Sequence, residues 1–253
     1  MSSTDIFRLD GKRVLVTGAS SGFGAHFAEV LAAAGAEVIL GARRTDKLEA
    51  TAQKVRAAGG KAHTVKLDVS DEESVKAAFD VMPAPDVVIN NAGINIEAST
   101  LELTGGEWDQ VMDTNVKGMW LVSREAIRLW VNEKRPGNII NIASILGLRV
   151  QSQLAVYTTS KAATIQLTKS LALDYARHNI RANVICPGYF VTDINREWLE
   201  GEGGQKMLKR IPYRRAGELN ELDGPLLLLA SDASSYMSGS TIVVDGAHTQ
   251  SSL

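Results

Sequence analysis

The alternation of short apolar runs with longer amphipathic stretches most restricts how this chain can fold. Seven runs, most of them rich in Val and Ile, are candidate strands: Arg13–Thr17, Glu37–Leu40, Ala62–Leu67, Val87–Asn90, Asn138–Ile142, Arg181–Ile185 and Thr241–Val244. Most show little polar–apolar alternation, which is how strands covered on both faces read. Between them the spacing predicts helices over Gly24–Ala34, Asp46–Ala58, Glu72–Asp80, Glu107–Asn132, Ala155–His178 and Glu218–Leu229. Strand followed by helix, repeated this often, needs crossover connections. The expected architecture is therefore α/β, a doubly wound, mostly parallel seven-stranded sheet with helices on both faces. No Pro/Gly/Ser-rich linker, low-complexity tract or fixed-period repeat breaks the sequence, so one domain over 1–253 is expected.

Other features narrow the class of function. The net charge is −2 and no long basic stretch occurs, which argues against a nucleic-acid partner. No run approaches the eighteen or so apolar residues of a membrane span. Met1–Asp10 lacks the apolar core of a signal peptide, so a cytoplasmic location is expected. The single cysteine, Cys186, lies in an apolar run and reads as a small buried strand residue. The four histidines are scattered, away from metal-ligand spacing, and no metal site is expected; His248 reads as a surface or tail residue, the alternative being a place in a neighbouring subunit's cleft. Tyr189–Gly217 is the least regular stretch, and a long insertion of that kind predicts a substrate lid at about 189–217. The helices predicted at 107–132 and 155–178 carry apolar residues on more than one stripe. That excess predicts a homo-oligomer, a tetramer or a dimer, assembled through them.

The segment Thr17-Gly18-Ala19-Ser20-Ser21-Gly22-Phe23-Gly24 follows the first strand and opens the first helix. Glycines there permit a tight turn and a close approach of pyrophosphate to backbone, and the helix start offers N–H groups to phosphate. Its spacing is G-x-x-x-G-x-G. A glycine-rich turn is also ordinary punctuation; its place between a first strand and a first helix makes it a nucleotide signal. Gly18, Ser20, Ser21, Gly22, Phe23 and Gly24 are the candidate phosphate-loop residues. The second strand ends in Leu40-Gly41-Ala42-Arg43-Arg44, with no acid to bond the adenine ribose. Arg43 and Arg44 suit a 2′-phosphate through charge-assisted bonds, Arg43 more so by its nearness to the strand end. NADP(H) is accordingly expected over NAD(H). Asp68 and Val69 follow the third strand and are candidates for the adenine. Asn91, Ala92 and Gly93 follow the fourth, where an Asn can tie strand ends together.

Ser144 ends the fifth strand, at the carboxyl edge where ligands bind in open α/β sheets. Tyr157 comes thirteen residues later and Lys161 lies one helical turn beyond it. An ammonium on the same face as a phenol is expected to pull the phenol pKa down from about 10 towards working range. Asn115, inside an apolar helix, needs a partner, either backbone or a water chain to Lys161.

Together TGASSGFG at Thr17–Gly24, NNAG at Asn90–Gly93, Asn115, Ser144, YTTSK at Tyr157–Lys161 and Pro187-Gly188 with Thr192 resemble the main branch of the short-chain dehydrogenase/reductase family. The resemblance runs from Gly11 to about Gly246 and implies a Rossmann-type domain that interconverts a ketone and a secondary alcohol. It implies that Tyr157 is the acid or base, that Lys161 holds the ribose and tunes Tyr157, that Ser144 bonds the substrate oxygen, and that Asn115 anchors a relay water. It also implies that Pro187, Gly188, Val191 and Thr192 contact the nicotinamide end. Ser21 departs from the pattern, standing where many NADP-using relatives carry a basic residue. Ile145, Leu146, Leu154, Tyr189 and Trp198, with Leu148 and Tyr213, predict an apolar or aromatic-tolerant substrate pocket. The chain also resembles 3-oxoacyl-acyl-carrier-protein reductases, which would need a basic patch; Lys134, Arg135, Arg177 and Arg181 are the candidates. A non-catalytic NADP-binding sensor on the same scaffold is a remote alternative.

Overall fold

The structure is a computed structural model, and it describes residues 5–192 and 195–250. Seven strands form one sheet: β1 Arg13–Thr17, β2 Glu37–Ala42, β3 Lys61–Lys66, β4 Val87–Asn90, β5 Gly137–Ile142, β6 Ile180–Pro187 and β7 Thr241–Val244. Their order is β3-β2-β1-β4-β5-β6-β7, and every pairing is parallel. The expected sheet is thus present and is parallel throughout.

Successive strand residues point to opposite faces, and both faces are covered. Val14 and Val16 of β1, Val38 and Leu40 of β2, and Val87 and Ile89 of β4 enter one core. That core also takes Phe27 and Leu31 of α1 (Gly22–Ala33), Leu48 and Val55 of α2 (Thr45–Ala57), and Leu226 of α9 (Asp223–Ala230). The residues between them, Leu15, Ile39 and Val88, enter the second core. There they meet Val75 of α3 (Glu72–Val81), Leu121 and Trp130 of α5 (Gly118–Asn132), and Leu171 of α6 (Ala155–Tyr175). Double burial explains why the strands read as unbroken apolar runs.

The helix expected over 107–132 is divided. Its first part is α4 (Gly105–Met112), begun by a capping box in which the Thr104 hydroxyl accepts from the Glu107 N–H and the Glu107 carboxylate accepts from the Thr104 N–H. A π turn over Asp113–Lys117 follows, and then α5. Such turns insert a residue and re-aim a side chain. Here the re-aimed residue is Asn115, which is fully buried.

The lid stretch is more regular than its sequence suggests, holding α7 (Arg196–Glu200) and α8 (Glu202–Leu208). Residues 193 and 194 of that stretch lie outside the described residues, as do 1–4 and 251–253. Cys186 is buried in β6, as expected of a strand residue. Among the described residues, no helix is long and apolar enough to cross a membrane.

Candidate active site

Strand order reverses between β1 and β4, and crevices at such switch points take ligands in open parallel sheets. The chain leaves β1 through Gly18 at φ +68°, where an added Cβ would stand 2.9 Å from the Ala92 Cα. Only glycine fits both the left-handed backbone and that close approach. Thr17 locks the two strand ends: its hydroxyl accepts from the backbone N–H groups of Asn91 and Ala92, each at 3.0 Å. The Asn91 amide returns a bond to the Thr17 carbonyl at 3.0 Å. An Asn at this place does tie the strand ends, with Thr17 as a partner that its type alone did not single out.

The resulting crevice is a cavity of about 550 Å³. Gly18, Ser20, Ser21, Gly22 and Phe23 line it from the first turn, Arg43 and Arg44 from the end of β2, and Asp68 and Val69 from the end of β3. Asn91, Ala92 and Gly93 close it after β4, and Thr192 borders it from the lid side. Leu67, Ile94 and Thr114 also line it; being apolar or merely small, they carried no sequence signal. Gly24 serves packing instead, since a Cβ there would meet the Gly18 carbonyl oxygen at 2.5 Å. Pro187 and Gly188 stand against the end of β7, where a Gly188 Cβ would lie 2.9 Å from the Asp245 Cα. Neither they nor Val191, which faces a neighbouring groove, borders this cavity.

The lining fits a nicotinamide dinucleotide. Gly22, at φ +56° with nothing within 4 Å of a built Cβ, leaves open space beside the turn. Arg44 donates to the Ser20 and Ser21 hydroxyls at 3.0 and 2.9 Å, so its guanidinium lies on the turn itself. Arg43 faces Asp68 at 3.8 Å, and Asp68 also accepts from the Ser70 N–H and hydroxyl. Sequence proximity favours Arg43 for a phosphate; the geometry favours Arg44, because the charge of Arg43 is partly offset by Asp68.

Ser144, Tyr157 and Lys161 meet at the end of β5. Burial pushes the Tyr157 phenol above its ordinary pKa of 10.0, and a hydrogen bond with Ser144 partly offsets the rise. Lys161 is buried, donates to the Ile142 carbonyl at 3.0 Å, and lies 5.5 Å from the centre of the Tyr157 ring. Burial lowers its own pKa from 10.5 to about 8. The expected pull of Lys161 on the phenol is therefore not what dominates here. One helical turn places the ammonium over the ring and beside a carbonyl, and burial is the largest influence on the phenol. Lys161 reaches the dinucleotide cavity through Gly93, where a built Cβ would stand 3.5 Å from Nζ.

Asn115 takes the backbone alternative. Its Oδ1 accepts from the Ile94 N–H at 2.8 Å, and its Nδ2 donates to the Ile94 carbonyl at 2.9 Å and to the Ser160 hydroxyl at 3.0 Å. Ser160 in turn donates to the Tyr157 carbonyl at 2.8 Å. The π turn thus braces the first turn of α6.

A second cavity, of about 540 Å³, lies between the turn after Ser144 and the 189–217 stretch, the candidate lid. Ile145, Leu146, Tyr189 and Trp198 line it as expected. Leu154 does not: it is buried, and its backbone pairs with Ala98. Leu148 is also outside it, and Tyr213 lines a different cavity against Asp245. The lining is more polar than expected, with Glu97, Arg149, Gln151, Lys206 and Arg210 among its residues. These side chains come from separate segments, so no local motif announces them. His248 is a further correction: it lines this cavity, its ring 5.8 Å from that of Tyr189.

Comparison with known proteins agrees with the geometry. A family described as short chain dehydrogenase matches residues 12–203. The chain belongs to that family, and it is an oxidoreductase of CH–OH groups. A gluconate 5-dehydrogenase from Gluconobacter oxydans is 39% identical over 256 residues, covering 99% of this chain and 100% of that protein. A 3-oxoacyl-acyl-carrier-protein reductase from Aquifex aeolicus is 35% identical over 244 residues, covering 94% and 98%. The crystal structure of a gluconate 5-dehydrogenase from Burkholderia cenocepacia in complex with NADP and tartrate superposes with a TM-score of 0.93 at 36% identity, covering 98% of this chain and 99% of that one.

Proposed function

We propose that the protein is an NADP(H)-dependent oxidoreductase that interconverts a ketone and a secondary alcohol on a small polyhydroxylated molecule. The observation that carries this reading is the hydrogen-bonded Ser144–Tyr157 pair after β5, next to Ile145 of the second cavity, with Lys161 buried beside Gly93 of the first. When bound, the nicotinamide supplies or accepts the hydride. Ser144 orients the substrate oxygen and supports charge on it. Tyr157 delivers the proton to that oxygen in reduction and removes it in oxidation. Its raised pKa keeps it protonated at neutral pH, which suits reduction. Lys161 holds the ribose beside Gly93. Asn115 is a positioning residue acting through Ser160.

The preference for NADP(H) rests on Arg43 and Arg44 at the end of β2 and on the NADP held by the Burkholderia relative. The polar second cavity and the relatives named for gluconate support a sugar-derived substrate. The acyl-carrier reading is less well supported. Arg135 is paired with Asp86 and Glu133, and Arg181 turns inward to Ser234, at the opposite edge of the sheet from Ser144. We further propose a cytoplasmic homo-oligomer, a tetramer or a dimer, formed through α4–α5 and α6. Trp108, Trp120 and Leu173 are exposed on those helices, and a monomer by light scattering would remove this proposal. A panel of keto-sugars, simple ketones and 3-oxoacyl thioesters with NADPH, then NADH, tests the reaction. Keto-sugars with NADPH should turn over fastest; faster turnover of the thioesters would overturn the substrate reading.

A further inference from the structure

The lid cavity carries a charge pattern that proton and hydride transfer do not need. Three cations, Arg149, Lys206 and Arg210, line it against one acid, Glu97, in a chain whose net charge is −2. Lys206 is engaged with Glu202 at 2.6 Å. Among the described residues, Arg149 and Arg210 form no ion pair.

The two arginines come from different segments of the chain. Arg149 follows the short turn Ile145–Gly147 that begins directly after Ser144. Arg210 continues the face of α8: Gly203, Lys206, Met207 and Arg210 all border the cavity, at the spacing of one helical stripe. His248 lies in the field of both. Burial lowers its pKa from 6.5, Asp245 partly offsets the drop, and Arg210 and Arg149 add to it. Gln151 accepts from the Tyr189 hydroxyl beside them. Two guanidinium groups sharing one cavity repel each other until an anion joins them, and planar guanidinium matches carboxylate in a two-bonded fork.

We propose that Arg149 and Arg210 form a carboxylate-binding subsite at the lid end of the substrate cleft, so that the substrate is a hydroxy acid or keto acid held by its carboxylate. This deepens the reading above and rests on Ser144 and Tyr157 marking the reacting carbon. Ile145, adjacent to Ser144, and Arg149 line the same cavity, so one small molecule spans both ends. Because Arg149 belongs to the core and Arg210 to the lid, a single carboxylate bridges the two.

The test compares keto-hexonates with the corresponding neutral ketohexoses, using NADPH and the wild-type, Arg149→Ala, Arg210→Ala and Arg149→Lys proteins. The wild type should favour the acids. Each Ala variant should lower the acid-to-neutral ratio of kcat/KM by roughly 10- to 100-fold, chiefly through KM, with Lys recovering part of the loss. An unmoved ratio overturns the subsite while leaving the reaction standing. Should no ketone turn over, the reaction reading fails by itself, and calorimetry of tartrate on the NADP-loaded protein judges the subsite. Binding that is lost in the double Ala variant supports it; equal binding in both proteins, or none in the wild type, overturns it.

Discussion

At the β1–β4 end of the cleft the cavity is built on a backbone frame: a turn through Gly18 and strand ends tied by Thr17 and Asn91. At the lid end the lining is mostly side chain: Arg149 after β5, Trp198 on α7, Arg210 after α8 and His248 near the end of the chain. The first surface depends on conformations that few residues adopt. The second depends on which long side chains tertiary packing brings together. One end is therefore set by the requirements of the sheet, and the other is free to vary with the substrate.

The largest expected effect sits where the two ends meet. Tyr157→Phe removes the proposed proton donor while keeping the ring, and should lower kcat by about 10²- to 10⁴-fold. NADPH affinity, followed by its fluorescence on binding, should change by less than about threefold. A variant that kept its activity would break the division between a binding end and a reacting centre.

The next effect is on stability. The folded-state pKa of Lys161 is about 8, below its ordinary 10.5. Below pH 8 the lysine is charged in both states, and the cost of burying that charge is fully present. Between pH 8 and 10.5 the folded state releases the proton first, so stability rises with pH. Relative to Lys161→Met, the wild type should gain about 3 kcal/mol across that window. Urea denaturation at pH 7.5 and pH 10 reads the difference; parallel pH dependence in the two proteins would contradict it.

The smallest effect sharpens the dinucleotide end. Arg44→Ala should raise KM for NADPH about tenfold and KM for NADH by less than about twofold. Arg43→Ala should do less, because Asp68 already faces that guanidinium. The reverse ranking in steady-state kinetics would return the phosphate to Arg43.

Much of this was legible in the chain. β1, β4 and β7 have the limits that their apolar runs predict, and the others shift by a residue or two where Gly41, Ala42, Lys61, Gly137, Ile180 or Pro187 extends the pairing. Ser144, Tyr157 and Lys161 converge as their strand-end and helix-start positions imply. The π turn at Asn115 was hidden, because apolar spacing cannot register one inserted residue inside a buried helix. The weak influence of Lys161 on Tyr157 was hidden as well: i, i+4 spacing sets a shared face, but the neighbouring Ile142 carbonyl and the depth of burial set the energy.

By itself the sequence determined the doubly wound sheet, the glycine turn after β1 and the residue types that are proposed for catalysis. Each of these follows from local periodicity or from a conformational limit such as positive φ at Gly18. Only the tertiary structure decided that Arg44 lies on the turn, that Leu154 packs away from the cleft, and that Arg149, Arg210 and His248 share one cavity. Those residues stand far apart in the chain, and their meeting depends on how the lid and the C-terminal segment pack over the carboxyl edge of the sheet.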